Sequence, residues 1–106
     1  MLLEVHKDNF DAEVLEAKGV VFVDFWSPKC VPCMELFPDV EAFAQRNEGK
    51  AKFCKLDAAA NKRLSISQKV LGLPAFVFYK DGERVFTFDK DSIDIDAVEA
   101  KLLELL

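Results

Sequence analysis

The run Val20-Val21-Phe22-Val23-Asp24-Phe25-Trp26 constrains this chain more than any other segment. Its residues are β-branched or aromatic apart from one carboxylate, and polar and apolar positions do not alternate. That pattern describes a central strand covered on both faces, so helices must flank it and the fold class is α/β. With 106 residues there is room for one core, and residues 1–106 are read as a single domain.

The remaining chain supplies the partners. Leu2 to His6 alternate weakly and predict a short edge strand, after which Asp8 or Asn9 offers a helix N-cap. Phe10, Val14 and Ala17 recur at helical spacing up to Gly19. Past the break at Ser27-Pro28-Lys29, the residues Leu36, Phe37, Val40, Phe43 and Ala44 predict a second helix reaching Gly49, kinked at Pro38. Ala51 to Asp57 reads as a strand. Asn61 is expected to cap a third helix carrying Leu64, Val70 and Leu71, stopped by Gly72 and Pro74. Ala75 to Tyr79 and Arg84 to Phe88 read as antiparallel strands joined at Asp81-Gly82. Ser92 or Asp94 then caps a last helix, with Ala97, Val98, Leu102 and Leu105 as its buried stripe. Alternating strands and helices in the first part predict parallel pairing, and the terminal hairpin makes a sheet of about five strands mixed.

Charge narrows the function. Nineteen acidic against fourteen basic residues give a formal charge of -5, and no block of five like charges occurs, which argues against nucleic-acid or anionic-membrane partners. The N-terminus lacks the basic start and apolar run of a secretory signal, so a soluble cytoplasmic protein is expected. Three cysteines are too few for a disulfide scaffold and point to chemistry.

Cys30-Val31-Pro32-Cys33 lies between the buried strand and the start of the second helix. At this spacing two sulfurs can bond or separate with little backbone movement, which suits a dithiol switch. Unpaired N–H groups and the macrodipole at a helix N-terminus stabilise a thiolate, the nucleophile of disulfide exchange. Cys30, nearer the chain break, is expected to attack, and Cys33, about one turn further in, to resolve. Two other readings compete. A zinc site needs two more ligands, for which only the distant Cys54 and His6 are on offer. Unrelated thiols or a structural disulfide are the other, although so short a loop gains little by chain entropy. Cys54 itself reads as a small buried hydrophobe.

Val23-Asp24-Phe25-Trp26 followed by Cys30-Val31-Pro32-Cys33, then Pro38, Gly72-Leu73-Pro74 and Lys80-Asp81-Gly82-Glu83, resemble the bacterial-type thioredoxin family in register over nearly the whole chain. The resemblance implies the thioredoxin fold and a protein-disulfide reductase, acting as a monomer without metal or bound cofactor. Its partners would be disulfide-containing proteins and a thioredoxin reductase, NADPH- or ferredoxin-linked. It places Asp24 beneath Cys33, reached through water, and Lys55 beside that carboxylate. Burial alone is expected to raise the Asp24 pKa unless a partner compensates. The resemblance makes Pro74 a cis-proline facing the cysteine pair, leaving the Leu73 backbone free to pair with an extended substrate. Trp26, Val31 and Pro32 complete the rim.

Pro32 has no N–H to offer the Cys30 thiolate, which favours the disulfide and makes the reduced form a good donor. Lys29, where the family usually carries tryptophan, acts the other way. An exposed charge is worth roughly 1 kcal/mol or less, about 20 mV here, against the ~150 mV between thioredoxin and strong oxidants. Lys29 therefore tunes the potential without reversing it. Val31 in place of the family's glycine, and a segment from Phe88 to Asp94 without glycine, predict altered docking and a dedicated partner. The alternatives are a thioredoxin-fold assembly subunit and a disulfide isomerase or oxidase.

Overall fold

The computed structural model describes residues 2–106, so Met1 in the N-terminal reading lies outside the described residues. The elements are β1 (Leu3–Glu4), a π-helical turn (Asp11–Leu15), β2 (Val20–Trp26), α1 (Val31–Arg46), β3 (Lys52–Asp57), α2 (Lys62–Ser67), β4 (Ala75–Lys80), β5 (Glu83–Phe88) and α3 (Ile95–Leu105). The five strands form one sheet in the order β1-β3-β2-β4-β5. Strands β1, β2 and β3 are mutually parallel, whereas β4 runs antiparallel to both β2 and β5. The sheet thus becomes mixed at β4, one strand earlier than the hairpin alone requires.

Helix length explains the reversal. The sixteen residues of α1 span about 24 Å and carry the chain back to the starting end of β2, so β3 runs parallel to it. The six residues of α2 span about 9 Å, less than half of a strand near 20 Å, so β4 starts where β3 ends and must run back.

Each face of the sheet buries its own core. Val20, Phe22, Phe53, Phe76 and Phe78 pack on one face against Val40, Phe43 and Ala44 of α1 and Val98 and Leu102 of α3. Val21, Val23, Phe25, Cys54, Leu56, Val77 and Tyr79 pack on the other, against Phe10, Val14 and Val70. Phe22 lies fully buried among the rings of Phe43, Phe53, Phe76 and Phe78, with centroids 5.2 to 6.1 Å away. No helix among the described residues is long and apolar enough to cross a membrane.

Several boundaries depart from expectation for local reasons. The first strand is two residues long, and the first helix is a single π-helical turn closed by Glu16 N–H donating to the Asp11 carbonyl. Asn9 caps no helix: its Oδ1 accepts from His6 N–H and its Nδ2 donates to the Glu4 carbonyl. The second helix stops at Arg46 because the buried Asn47 amide turns back to the Phe43 carbonyl and across to Glu99 on α3. It continues through Pro38, which is exposed, so the Met34 carbonyl that loses its donor lies on the solvent side. The third helix ends at Ser67, and Lys69 takes a left-handed φ of 65°; Leu71, expected in the core, is 85% exposed. Asn61 spends its Oδ1 on Lys7 N–H instead of capping α2. Of the two caps offered for the last helix, Asp94 serves by accepting from Asp96 N–H. Ala97 is exposed, and Ile95 packs in its stead.

Candidate active site

The site forms where β2 ends and α1 begins. Cys30 is the N-cap of α1, extended at φ -90° and ψ 102°, and its Sγ accepts the Cys33 N–H at 3.2 Å. One orphan donor of the helix end is thus aimed at this sulfur, while Pro32 withholds another. Ser27 shapes the approach: its carbonyl accepts from Cys30 N–H and its hydroxyl from Lys29 N–H. In the sequence alone Ser27 reads only as a strand breaker. Cys30 and Cys33 are joined by a disulfide across a Cα separation of 5.3 Å. The two sulfurs differ in environment as expected: Cys30 is half-buried and Cys33 is 3% exposed. Cys54 lies in the opposite core, where burial pushes its thiol up to about 12, so it stays protonated and away from the pair.

Strand register assembles the next layer. Asp24 pairs with Lys55 on β3 and Phe76 on β4, which puts all three side chains on the face that α1 covers, one row beyond the ring of Phe22. Asp24 is 2% exposed. Burial raises its pKa to about 7, and the positive charge of Lys55 opposes that rise without cancelling it. Lys55 is half-buried, with Nζ 5.1 Å from the centre of the Phe37 ring and 5.9 Å from that of Trp26. The two rings lie 6.0 Å apart. Trp26 Nε1 is buried and, among the described residues, has no hydrogen-bond partner. In the sequence alone Phe37 is one apolar position of a helix; its spacing of four residues from Cys33, which puts both on one helix stripe, is the only local signal of its place.

On the outer side, the Leu73-Pro74 peptide is cis and leads directly into β4. Leu73 and Pro74 line an open groove with Pro32, Leu36 and Ile93, and Lys90 and Asp91 close one flank. Val31 stands 67% exposed on the rim. A second groove on the other side of Leu73 runs between Ser27, Ile66 and Leu71. Asp24, Trp26 and Lys55 share the face of the sheet that α1 covers, below the Cys30–Cys33 pair at the start of α1, whereas Cys54, next to Lys55 on β3, lies on the opposite face.

An accessible sulfur fed by a helix N–H, a buried partner sulfur, a protonatable carboxyl on the covering face and an apolar groove can exchange a disulfide with an extended chain. Comparison with known proteins agrees. The thioredoxin family model matches residues 1–102. The chain is 50% identical over 104 residues to a thioredoxin of Peptoclostridium acidaminophilum, covering 95% of this chain and 94% of that one. It is 41% identical to a thioredoxin of Acetoanaerobium sticklandii, over 93% and 94% of the two chains. A mutant thioredoxin from Halobacterium salinarum superposes with a TM-score of 0.85 at 30% identity, covering 97% of this chain and 88% of that one. The chain belongs to the thioredoxin family and is a thiol-disulfide oxidoreductase that reduces protein disulfides.

Proposed function

We propose that the chain works as one domain and a monomeric two-electron carrier, in which Cys30 attacks and Cys33 resolves. The Cys30 thiolate attacks one sulfur of a substrate disulfide; that bond breaks, a mixed disulfide forms and the departing substrate thiolate takes a proton. Asp24, with a pKa of about 7, accepts the Cys33 proton near neutral pH. The Cys33 thiolate then attacks Cys30 Sγ, releasing the second substrate thiolate and closing the Cys30–Cys33 disulfide. Substrate gains two electrons and the protein loses them. Lys55 steadies the Asp24 carboxylate, and Trp26, Val31, Pro32, Leu73 and Pro74 seat an extended substrate segment. The observation that carries this reading is the asymmetry of the pair, a half-buried N-cap cysteine beside one that is 3% exposed.

Oxidised protein returns to the dithiol by accepting two electrons from a reductase, NADPH- or ferredoxin-linked, in the cytoplasm. The exposed Val31, with Lys90 and Asp91 beside the groove, favours a dedicated reductase. The test is insulin-disulfide reduction by wild type and Cys30→Ser, joined to a glutathione titration of the couple. Loss of turnover with Cys30→Ser and a strongly reducing midpoint are expected. Retained turnover overturns the assignment, and a midpoint near that of isomerases or oxidases overturns the direction. Equal turnover with a reductase taken from a generic thioredoxin system overturns the dedicated partner.

A further inference from the structure

We propose that Phe37 is a positioning residue: its ring, together with that of Trp26, holds the Lys55 ammonium beside Asp24 and so sets the proton affinity of that carboxyl. The inference deepens the reading of Asp24 as the proton acceptor for Cys33 and rests on it for its functional meaning.

Cys33 and Phe37 are four residues apart on α1, so both project from one stripe of the helix. Phe37 packs against the core on the α1 face of the sheet, the face that carries Asp24 and Lys55. Its ring is the nearer of the two to Lys55 Nζ, at 5.1 Å against 5.9 Å. Both distances fall within reach of the attraction between a cation and the negative face of an aromatic ring. Among the described residues the ammonium makes no contact ion pair with a carboxylate, so the rings are the close partners the structure gives it.

The cation has somewhere else to go. Glu4 on β1 is the other register partner of Lys55, and it is exposed. Lys55 therefore stands between a buried carboxyl on one neighbouring strand and a solvated carboxylate on the other. Asp57 lies two residues further along β3, Phe76 faces Asp24 from β4 without charge, and α1 presents Cys33, with the exposed Glu41 one turn beyond Phe37. Water and Glu4 both draw the ammonium outward. The ring faces oppose that pull and keep its charge where it acts on Asp24.

Phe37→Leu keeps the residue apolar and removes the π face. The ammonium then moves toward Glu4 and solvent, and Asp24 loses the charge that opposes its desolvation. Its titration in the oxidised protein, read by carbon-13 NMR of the carboxyl, is expected to move up by about half a unit to one unit. Phe37→Tyr restores the wild-type value. In a Lys55→Met background Phe37→Leu produces no further shift, because the clamp has nothing to hold. Thermal melts confirm that each variant is folded before it is scored. An unmoved Asp24 titration in folded Phe37→Leu overturns the proposal, as does an equal shift in the Lys55→Met background. The pH profile of insulin reduction separates the two levels: an Asp24 titration that moves while the profile stays fixed supports the clamp and overturns the proton-transfer role of Asp24.

Discussion

Replacing Asp24 with asparagine is expected to stabilise the oxidised protein at neutral pH while leaving it nearly unchanged near pH 4. The carboxyl is 2% exposed, and burial lifts its pKa from the ordinary 3.8 to about 7 against the pull of Lys55. Between those values the folded chain keeps a proton that the unfolded chain has released. The stability contributed by the protonated carboxyl is therefore fully present below about pH 3.8 and lost as pH rises to about 7. At about 1.4 kcal/mol for each pH unit between the two values, the whole effect is about 4 kcal/mol. Side-chain relaxation and water entry reduce what a measurement recovers, so about 2 to 4 kcal/mol is the expected gain. An amide of the same shape carries no charge at any pH and removes the dependence. Urea unfolding of both proteins from about pH 4 to about pH 8 is expected to give midpoints that coincide in acid and diverge through neutrality. A difference that stays constant with pH, or a wild type more stable than Asp24→Asn at pH 8, would refute the account of Asp24 as a desolvated carboxyl.

Iodoacetamide applied to reduced protein at neutral pH is expected to label Cys30 about tenfold faster than Cys33 or Cys54; equal labelling overturns the division of roles. Gly82 has φ +84°, and a Cβ there would overlap the Leu15 carbonyl, whereas Gly49 has the same φ with open space around it. Thermal or urea unfolding should show Gly82→Ala losing more than Gly49→Ala, which loses about 1 kcal/mol for the left-handed backbone alone. Phe22→Ala empties the centre of four aromatic contacts and is expected to cost about 3 to 5 kcal/mol, read as a lower urea midpoint.

Burial pattern was legible wherever one element carried it alone. Val20–Trp26 announced a doubly covered strand because no polar position breaks it except Asp24, and Asp81-Gly82 announced the hairpin because a tight turn demands those residues. Helix ends were less legible, since tertiary partners decide them: the Asn47 amide stops α1 by engaging Glu99, 52 residues away, and the Asn61 side chain is taken by Lys7. The direction of β4 was hidden for a similar reason. Periodicity marks Val70 and Leu71 as helical, but the left-handed Lys69 ends α2 early, and only the resulting shortness turns the chain round. At the candidate site, the Cys30–Cys33 pair was readable from its spacing, and the unusual burial of Asp24 from its misfit in an apolar run. Phe37 was not, because its meeting with Lys55 depends on how α1 lies across β3, which no local pattern encodes.

The two rims of the sheet have a bearing on how this chain behaves when crowded. One rim, β1, is two residues long; the other, β5, opens with Glu83 and Arg84 and pairs with β4 through a register shift at Phe78 and Tyr79. Its half-exposed Phe86, on the face that α3 covers, lies under Lys101 Nζ, 4.3 Å from the ring centre. A stub, a charged start and an irregular ladder each make the rim that carries them a poorer template for recruiting a further strand, which matters for a chain with ten phenylalanines.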